Sequence, residues 1–597
     1  MLTTTHNTDT HCVHLTRRRG YDAFVRHLRQ WALVVTVALS KAAASAAGLG
    51  TVSQGAATVA PTTGSACNYP APGSIVSQPR DLYSQNGVLS VHLDYYTSVD
   101  AQGRTLFCFQ TSDGAVAPTL HVKPGDLFLL QVTNRVPRGT FMEKLTTQCG
   151  EAVVYDSSVN VHFHGALVSP ACTSDDVVDT VIGSGDTFQY KIQIPTNEPS
   201  GMYWYHPHLH GVADAAVLGG ATGAFIVDGI ENYYSSLAGM PSRILNFRGL
   251  QTLGAVNAPG TLDAYGQIVP TWDVSVNYVP IPYSPTGTPV PPPVIQMKAG
   301  QPELWSVMNG SSDSILDFQL LYDGVPQKLQ VVGLDGVPTG SQDGSRQGKA
   351  IYRTTLASPP AGRVQFVVNP PPPGVKAVIQ TKTIDTGPAG DSNPSRTIAR
   401  IVTTNTGTPL PKLPQASNPA PQRFEGLDTS PVTAKRKLYF SEIISNPNDP
   451  SSPTNFYITV DGAQPQLYAP GIAPAVTTTQ GAVEEWTIEN RTTEKHVFHI
   501  HQIHFKLLEV NGVPVSNQDS QFYDDYTVDY YHGAVDAQGR PIDAAGNLIA
   551  HPVYPSIKIK MDFRGPIVGD FVFHCHILQH EDGGMMARMR VLPAPAP

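Results

Sequence analysis

The stretches "HVKPGDLFLLQVTNR" (121–135), "QMKAGQPELWSVMNG" (296–310) and "TTTQGAVEEWTIENR" (477–491) are three versions of one pattern within 597 residues. Each leaves a glycine turn, runs as an alternating apolar strand and ends on asparagine at the next turn. That alternation is the period-two signature of a half-buried β-strand. A second strand-like stretch follows in every copy: "VNVHFHG" (159–165), "ILDFQLL" (315–321) and "HVFHIHQ" (496–502). From Gly300 to Asp317 is 17 positions and from Gly481 to His499 is 18, whereas the first copy carries the insertion "VPRGTFMEKLTTQCGEAVVYDSS". Self-similarity of this kind means consecutive homologous β-domains.

Composition agrees. Glycine and proline number 52 each and charged residues make up 15%, which suits an all-β chain of short strands and tight turns. We expect domains at 66–229, 240–400 and 430–597, with linkers near 229–242 and in the Pro/Asn/Thr-rich stretch 386–433. The net charge of −9 argues against nucleic acid and anionic membrane as partners.

Residues 1–47 read as a secretory signal. Basic "TRRRGYDAFVRHLRQ" precedes apolar "WALVVTVAL" and small-residue "AAASAAG", and the apolar run is too short to span a bilayer. Arg17–Arg19 suggest a twin-arginine route. The mature protein is therefore expected in the periplasm or outside the cell, with no stable membrane anchor once the signal is removed. Of six cysteines, Cys12 lies in the signal and Cys575 in a histidine cluster. Cys67, Cys108, Cys149 and Cys172 suggest two disulfides in an oxidising compartment, with three connectivities open and Cys67–Cys108 plus Cys149–Cys172 favoured.

The chemistry lies in four histidine clusters. They are "HFHG" (His162, His164), "WYHPHLHG" (His206, His208, with His210 beside them), "HVFHIH" (His496, His499, His501) and "FVFHCHILQHEDGGMM" (571–586). The last holds His574, Cys575, His576, His580 and Met585. On a strand, His574 and His576 face one way and Cys575 the other. A lone His-x-His is weak; four of them, two near each end, can converge eight imidazoles between the first and last domains. Imidazole suits copper, and two histidines, a cysteine and a distant methionine are the ligand set of a blue-copper centre. The middle copy has Asp317 and Gln319 where its neighbours have histidines, and no histidine occurs from 211 to 495. It reads as a spacer.

These motifs resemble those of the multicopper oxidases, a family that includes laccases, bilirubin oxidases, ascorbate oxidase and bacterial copper-tolerance oxidases. The likeness extends over nearly all of the mature chain. It implies three consecutive cupredoxin-like Greek-key β-sandwich or barrel domains and four copper ions, one type 1, one type 2 and two type 3. Carried over by motif, type 1 copper takes His496, Cys575, His580 and Met585, and type 2 copper takes His162 and His499. The type 3 pair takes His164, His206, His208, His501, His574 and His576. Glu581 matches an acid used in proton relay, and Asp175 the place of a second acid near type 2 copper, with its neighbour Asp176 an open alternative.

The implied reaction couples four one-electron oxidations to reduction of O2 to water, in a chain that completes its sites as a monomer. The reductant is expected to be a phenol or aromatic amine, with Cu(I) the alternative. Ten methionines form no cluster of the kind that suits Cu(I). The long insertion 520–552 suggests Tyr523, Asp524, Asp525 and Tyr526 as a surface for aromatics. A non-catalytic copper scaffold fits less well, since no ligand position is lost, and a two-domain nitrite reductase is disfavoured by the third domain. His504 falls on the opposite strand face by parity, and His92, His121, His532 and His551 read as isolated surface residues.

Overall fold

The computed structural model describes residues 67–252, 259–284, 286–444, 454–536 and 538–595. The signal read at 1–47, with Cys12, lies outside them. The chain is all-β, and its strands fall into three consecutive groups, each a pair of sheets around its own apolar core. The first group packs a four-stranded sheet on a five-stranded one, the second an eight- on a six-stranded one, the third a seven- on a five-stranded one. Strands adjacent in a sheet are often distant in sequence, as where Val88–Val99 pairs in parallel with Leu127–Asn134.

The repeat has a common physical basis. Gly125, Gly300 and Gly481 all take positive φ, at 92°, 69° and 97°, a turn conformation that side chains resist. Nine residues on, Asn134, Asn309 and Asn490 are fully buried and bonded alike. Each accepts from the backbone N–H two residues ahead and donates to two carbonyls, Ser157 and Ile182, Ser314 and Ser358, or Glu494 and Val528. The second and third copies share a further device. Glu303 accepts from Arg243 at 2.7 Å and Trp305 at 2.8 Å, and Glu484 from Arg436 and Trp486 at the same distances. The first copy has Phe128 and Leu130 at the corresponding positions and packs them in its core.

Three sequence readings change. The strand Arg396–Thr404 lies inside the stretch read as linker and pairs with Val294–Lys298 and Ala377–Thr381 in the middle domain. Ile230, Tyr233, Tyr234 and Leu237, in the other linker, are buried against Leu304 and Val332 of that domain. His121 is not a surface residue: it is 8% exposed, stacked on Tyr83, and clamped between Asp228 (2.9 Å) and Asp81 (3.2 Å). His92, His532 and His551 are exposed. The cysteines pair as Cys67–Cys108 and Cys149–Cys172, and Cys575 is free and buried. Among the described residues no helix is long and apolar enough to cross a membrane.

The clamp on His121 has a pH signature. Burial alone would lower this imidazole, but Asp228 and Asp81 outweigh burial and raise it to about 9. With the folded value above the unfolded one of about 6.5, its stabilisation is complete below about pH 6.5 and is lost as pH rises through about 9. Chemical unfolding should therefore find His121→Gln about 2 to 3 kcal/mol less stable than wild type near pH 6, with the difference largely gone near pH 10.

Candidate metal centres

Strand pairing aligns the histidines before any metal is considered. Strand His162–His164 lies antiparallel to Gly201–His206, with His162 opposite His206. In the third domain His496–Ile500 runs beside Gly569–Cys575, with His499 opposite His574 and Phe498 opposite Cys575. Directly opposed residues share a face, so His574 joins His499 while Cys575 turns away. The two domains then meet ring to ring. His162 stacks on His501 at 3.9 Å and His164 on His499 at 4.0 Å between centroids.

Eight imidazoles converge at this interface, all at most 1% exposed. The Nε2 atoms of His208, His501 and His574 form a triangle with sides of 3.0 to 3.1 Å. His162 Nε2, His164 Nδ1, His206 Nε2, His499 Nε2 and both nitrogens of His576 are buried without a hydrogen-bond partner. In the first four of these rings the other nitrogen is occupied: His162 Nδ1 donates to Asp175, His164 Nε2 to Asp524, His206 Nδ1 to the Pro207 carbonyl and His499 Nδ1 to the Asp524 carbonyl. A hydrogen bond at one nitrogen fixes the tautomer and frees the lone pair of the other. Burial first, then neighbouring imidazoles, hold His206, His499, His501 and His576 well below the usual histidine range, so they are neutral donors.

A second centre lies on the far side of the Gly569–Cys575 strand. His496 Nδ1 and His580 Nδ1 are 3.1 Å apart, with Cys575 Sγ at 3.6 and 3.8 Å from them. Met585 is fully buried and bound back to this loop, its carbonyl accepting from Cys575 N–H and its N–H donating to the His580 carbonyl. The Asn490 turn reaches here too: Thr492 Oγ1 bonds both Asn490 and His496 Nε2. His580, at 6%, is the most exposed of the twelve candidate ligands; it stacks on Phe456 and has Glu494 at 3.4 Å from its Nε2. Burial pushes the Cys575 thiol above its usual range, so a thiolate there needs a cation beside it.

Both predicted acids reach the histidines. Asp175 is held by Phe163 N–H and Gln502 Nε2 as well as by His162, whereas Asp176 binds the 178 and 179 amides and touches Cys149. Glu581 lies 3.1 Å from His574 Nδ1 and 3.5 Å from His208 Nδ1. Burial would raise Glu581, but His208 and His574 pull it down to about 2. Its short helix, Leu578–Asp582, is anchored to the other domains through Ser312, Asp313, Gly211 and Asp214.

Two loop readings are corrected. Asp524 and Asp525 are buried, so they do not face a substrate; Tyr523 and Tyr526 are half-buried. The parity reading of His504 fails because the strand ends at Ile500 and Gln502 takes φ 57°; His504 Nε2 instead donates to the Asp335 carbonyl. His210 packs on Tyr468 outside the cluster. Sequence reading missed Gln502, Asp524, Thr492 and Glu494. Only Thr492 and Glu494 carried a signal, their place in the Asn490 turn beside His496.

Neutral buried imidazoles with unpartnered nitrogens, and a cysteine with two histidines and a methionine, are a donor chemistry that fits copper. Residues 151–232 and 447–595 each match the sequence profile of the multicopper oxidases. These two segments carry the sequence pattern of the multicopper oxidase family. Over 112 residues it is 32% identical to multicopper oxidase mco of Staphylococcus haemolyticus, covering 18% of this chain and 20% of that one. That match thus spans about a fifth of the relative's length. With the laccase of Bacillus subtilis it shares 22% identity over 508 residues, 79% of this chain and 88% of the other. Among solved structures, a Campylobacter jejuni multicopper oxidase described as a metallo-oxidase aligns with TM-score 0.59 at 20% identity, covering 88% of this chain and 96% of that one. This likeness extends the multicopper oxidase fold across all three domains.

Asp175 should matter through the imidazole it orients. In the Asp175→Asn variant, titration with copper should show binding at the histidine-only cluster weakened about 10- to 100-fold, with the Cys575 centre filling as in wild type.

Proposed function

We propose that this multicopper oxidase takes electrons singly from a small reductant and delivers four of them to O2, releasing water. The reading rests on one observation: Cys575 puts its sulfur in one centre while its chain neighbours, His574 and His576, put their imidazoles in the other. In this reading His496, Cys575, His580 and Met585 hold type 1 copper, and His162 and His499 hold type 2 copper. His164, His206, His208, His501, His574 and His576 hold the type 3 pair. Copper, when bound, supplies one-electron redox chemistry at the first centre and O2 reduction at the second.

The protein supplies the rest. The Cys575 backbone, one residue from each histidine, is the covalent route between the centres. Buried walls keep bulk water from the cluster. Glu581, 3.1 Å from His574 Nδ1, is placed to pass protons inward, and Asp175 holds the His162 ring in line. The reductant approaches at His580, past Phe456, with Glu494 available to accept a proton from a phenol.

A laccase-like role on phenols or aromatic amines is supported by the surface. Among the described methionines only Met142 is exposed, on the hairpin strand Phe141–Thr147, while Met585, Met586 and Met589 near the Cys575 centre are buried. No soft thioether lies open there to receive Cu(I). The second reading, a cuprous oxidase serving copper tolerance, draws on the likeness to the Campylobacter metallo-oxidase. We further propose that residues 1–47 direct export, by a twin-arginine route, and are then removed, and that the enzyme works as a monomer with O2 and a small reductant as its partners.

Oxygen uptake by copper-loaded protein, fed a simple phenol and then Cu(I), tests the proposal. The phenol should be turned over faster, and Cys575→Ser should lower uptake with either reductant by at least about 100-fold. Uptake undiminished in Cys575→Ser would sink the assignment, and faster uptake with Cu(I) would favour the second reading.

A further inference from the structure

The middle domain holds none of the twelve candidate ligands, yet one of its side chains reaches the histidine cluster. Arg363, at the start of the strand Arg363–Val368, has a side chain with no exposure to solvent. Its Nη1 donates to Asp524 Oδ1 at 2.7 Å and its Nη2 to Asp524 Oδ2. Asp524 Oδ1 also accepts from His164 Nε2 at 3.1 Å. One carboxylate of the third domain therefore joins a guanidinium of the second to an imidazole of the first. The guanidinium is itself fixed, through Nε to the Met202 carbonyl at 3.3 Å, Nη1 to the Ala361 carbonyl at 3.0 Å, and Asp525 at 3.3 Å. Its backbone N–H donates to Asp335 Oδ1 at 2.9 Å, and His504 closes the ring on Asp524 Oδ2 at 3.3 Å.

The glycine of "HFHG" fits the same arrangement. Gly165 has φ 83°, and a Cβ there would fall 2.4 Å from Asp524 Oδ2 and 2.5 Å from Arg363 Nη2. The ion pair thus lies directly across the backbone next to His164, and only a residue without a side chain admits it. A planar two-pronged donor fixes both carboxylate oxygens at once, which a lysine cannot do. The fixed oxygen then settles which ring nitrogen of His164 carries the proton.

The geometry points to Arg363 as a positioning residue for the histidine cluster: through Asp524 it holds His164 in the tautomer and orientation that present Nδ1 to a metal ion. This rests on the copper reading proposed above and gives the ligand-free middle domain a part in it. The test compares Arg363→Gln, Arg363→Lys and Gly165→Ala with wild type, by copper content per chain, the blue absorption of the Cys575 centre and the electron paramagnetic resonance of the histidine-only sites.

Arg363→Gln should keep the blue absorption but hold copper at the cluster about 10- to 100-fold more weakly, with altered resonance. Arg363→Lys should recover only part of this loss, and Gly165→Ala, which displaces the pair while keeping its charges, should repeat it. A full copper complement and unchanged resonance in Arg363→Gln would overturn the inference. So would joint loss of both centres in Arg363→Gln and Gly165→Ala, which would make the pair a structural strut alone. Failure of wild type to load copper at the histidine-only sites would instead defeat the copper reading, before any variant is compared.

Discussion

Three imidazole nitrogens from two domains meet within 3.1 Å of one another, and neither domain could build that meeting alone. His208 comes from the first domain, His501 and His574 from the third. Removing so many polar rings from water is costly unless each is hydrogen-bonded or given an ion. The surrounding structure meets that condition on the outer side of five rings, through Asp175, Asp524 and backbone carbonyls. It leaves the inner nitrogens bare. The fold is thus organised around a deliberately incomplete set of hydrogen bonds that a metal ion completes.

The same logic explains why a domain without ligands is kept. Copies two and three share the Arg–Glu–Trp set, and all three copies share the asparagine turn, so the middle domain is a full member of the repeat. Besides the missing histidines, the turn itself differs. In the third copy Thr492 passes the asparagine's hydrogen bond on to His496, whereas in the second Ser311 bonds Asn309 and the Ser314 carbonyl and goes no further. The middle domain's contributions are made at its edges. Ser312 and Asp313 fix the helix carrying His580 and Glu581, and Arg363 reaches His164 through Asp524.

Much of this was legible from local pattern. The repeat glycines and asparagines are short-range signals, and strand alternation puts Cys575 on the opposite side from His574 and His576 with no tertiary information. The supporting network was not legible, because its members lie far apart in sequence: His164 and Asp524 are separated by 360 positions. Asp524 and Asp525 sit in a tyrosine-rich insertion that reads as surface, and only the cation arriving from another domain explains their burial. His121 misled for the same reason, since Asp81 and Asp228 are 40 and 107 positions away. Parity could not place His504 because the strand on which the count depended ends at Ile500, and the chain beyond it turns at left-handed Gln502.

The nitrogen triangle also sets a temporal order on the life of the protein. His208 and its partner His501 are 293 positions apart, and His574 is 366 from His208. A growing chain holds the first domain's imidazoles long before their partners exist. The histidine cluster cannot be completed before His576 is made, nor the Cys575 centre before Met585. Metal acquisition at either centre therefore waits on the third domain.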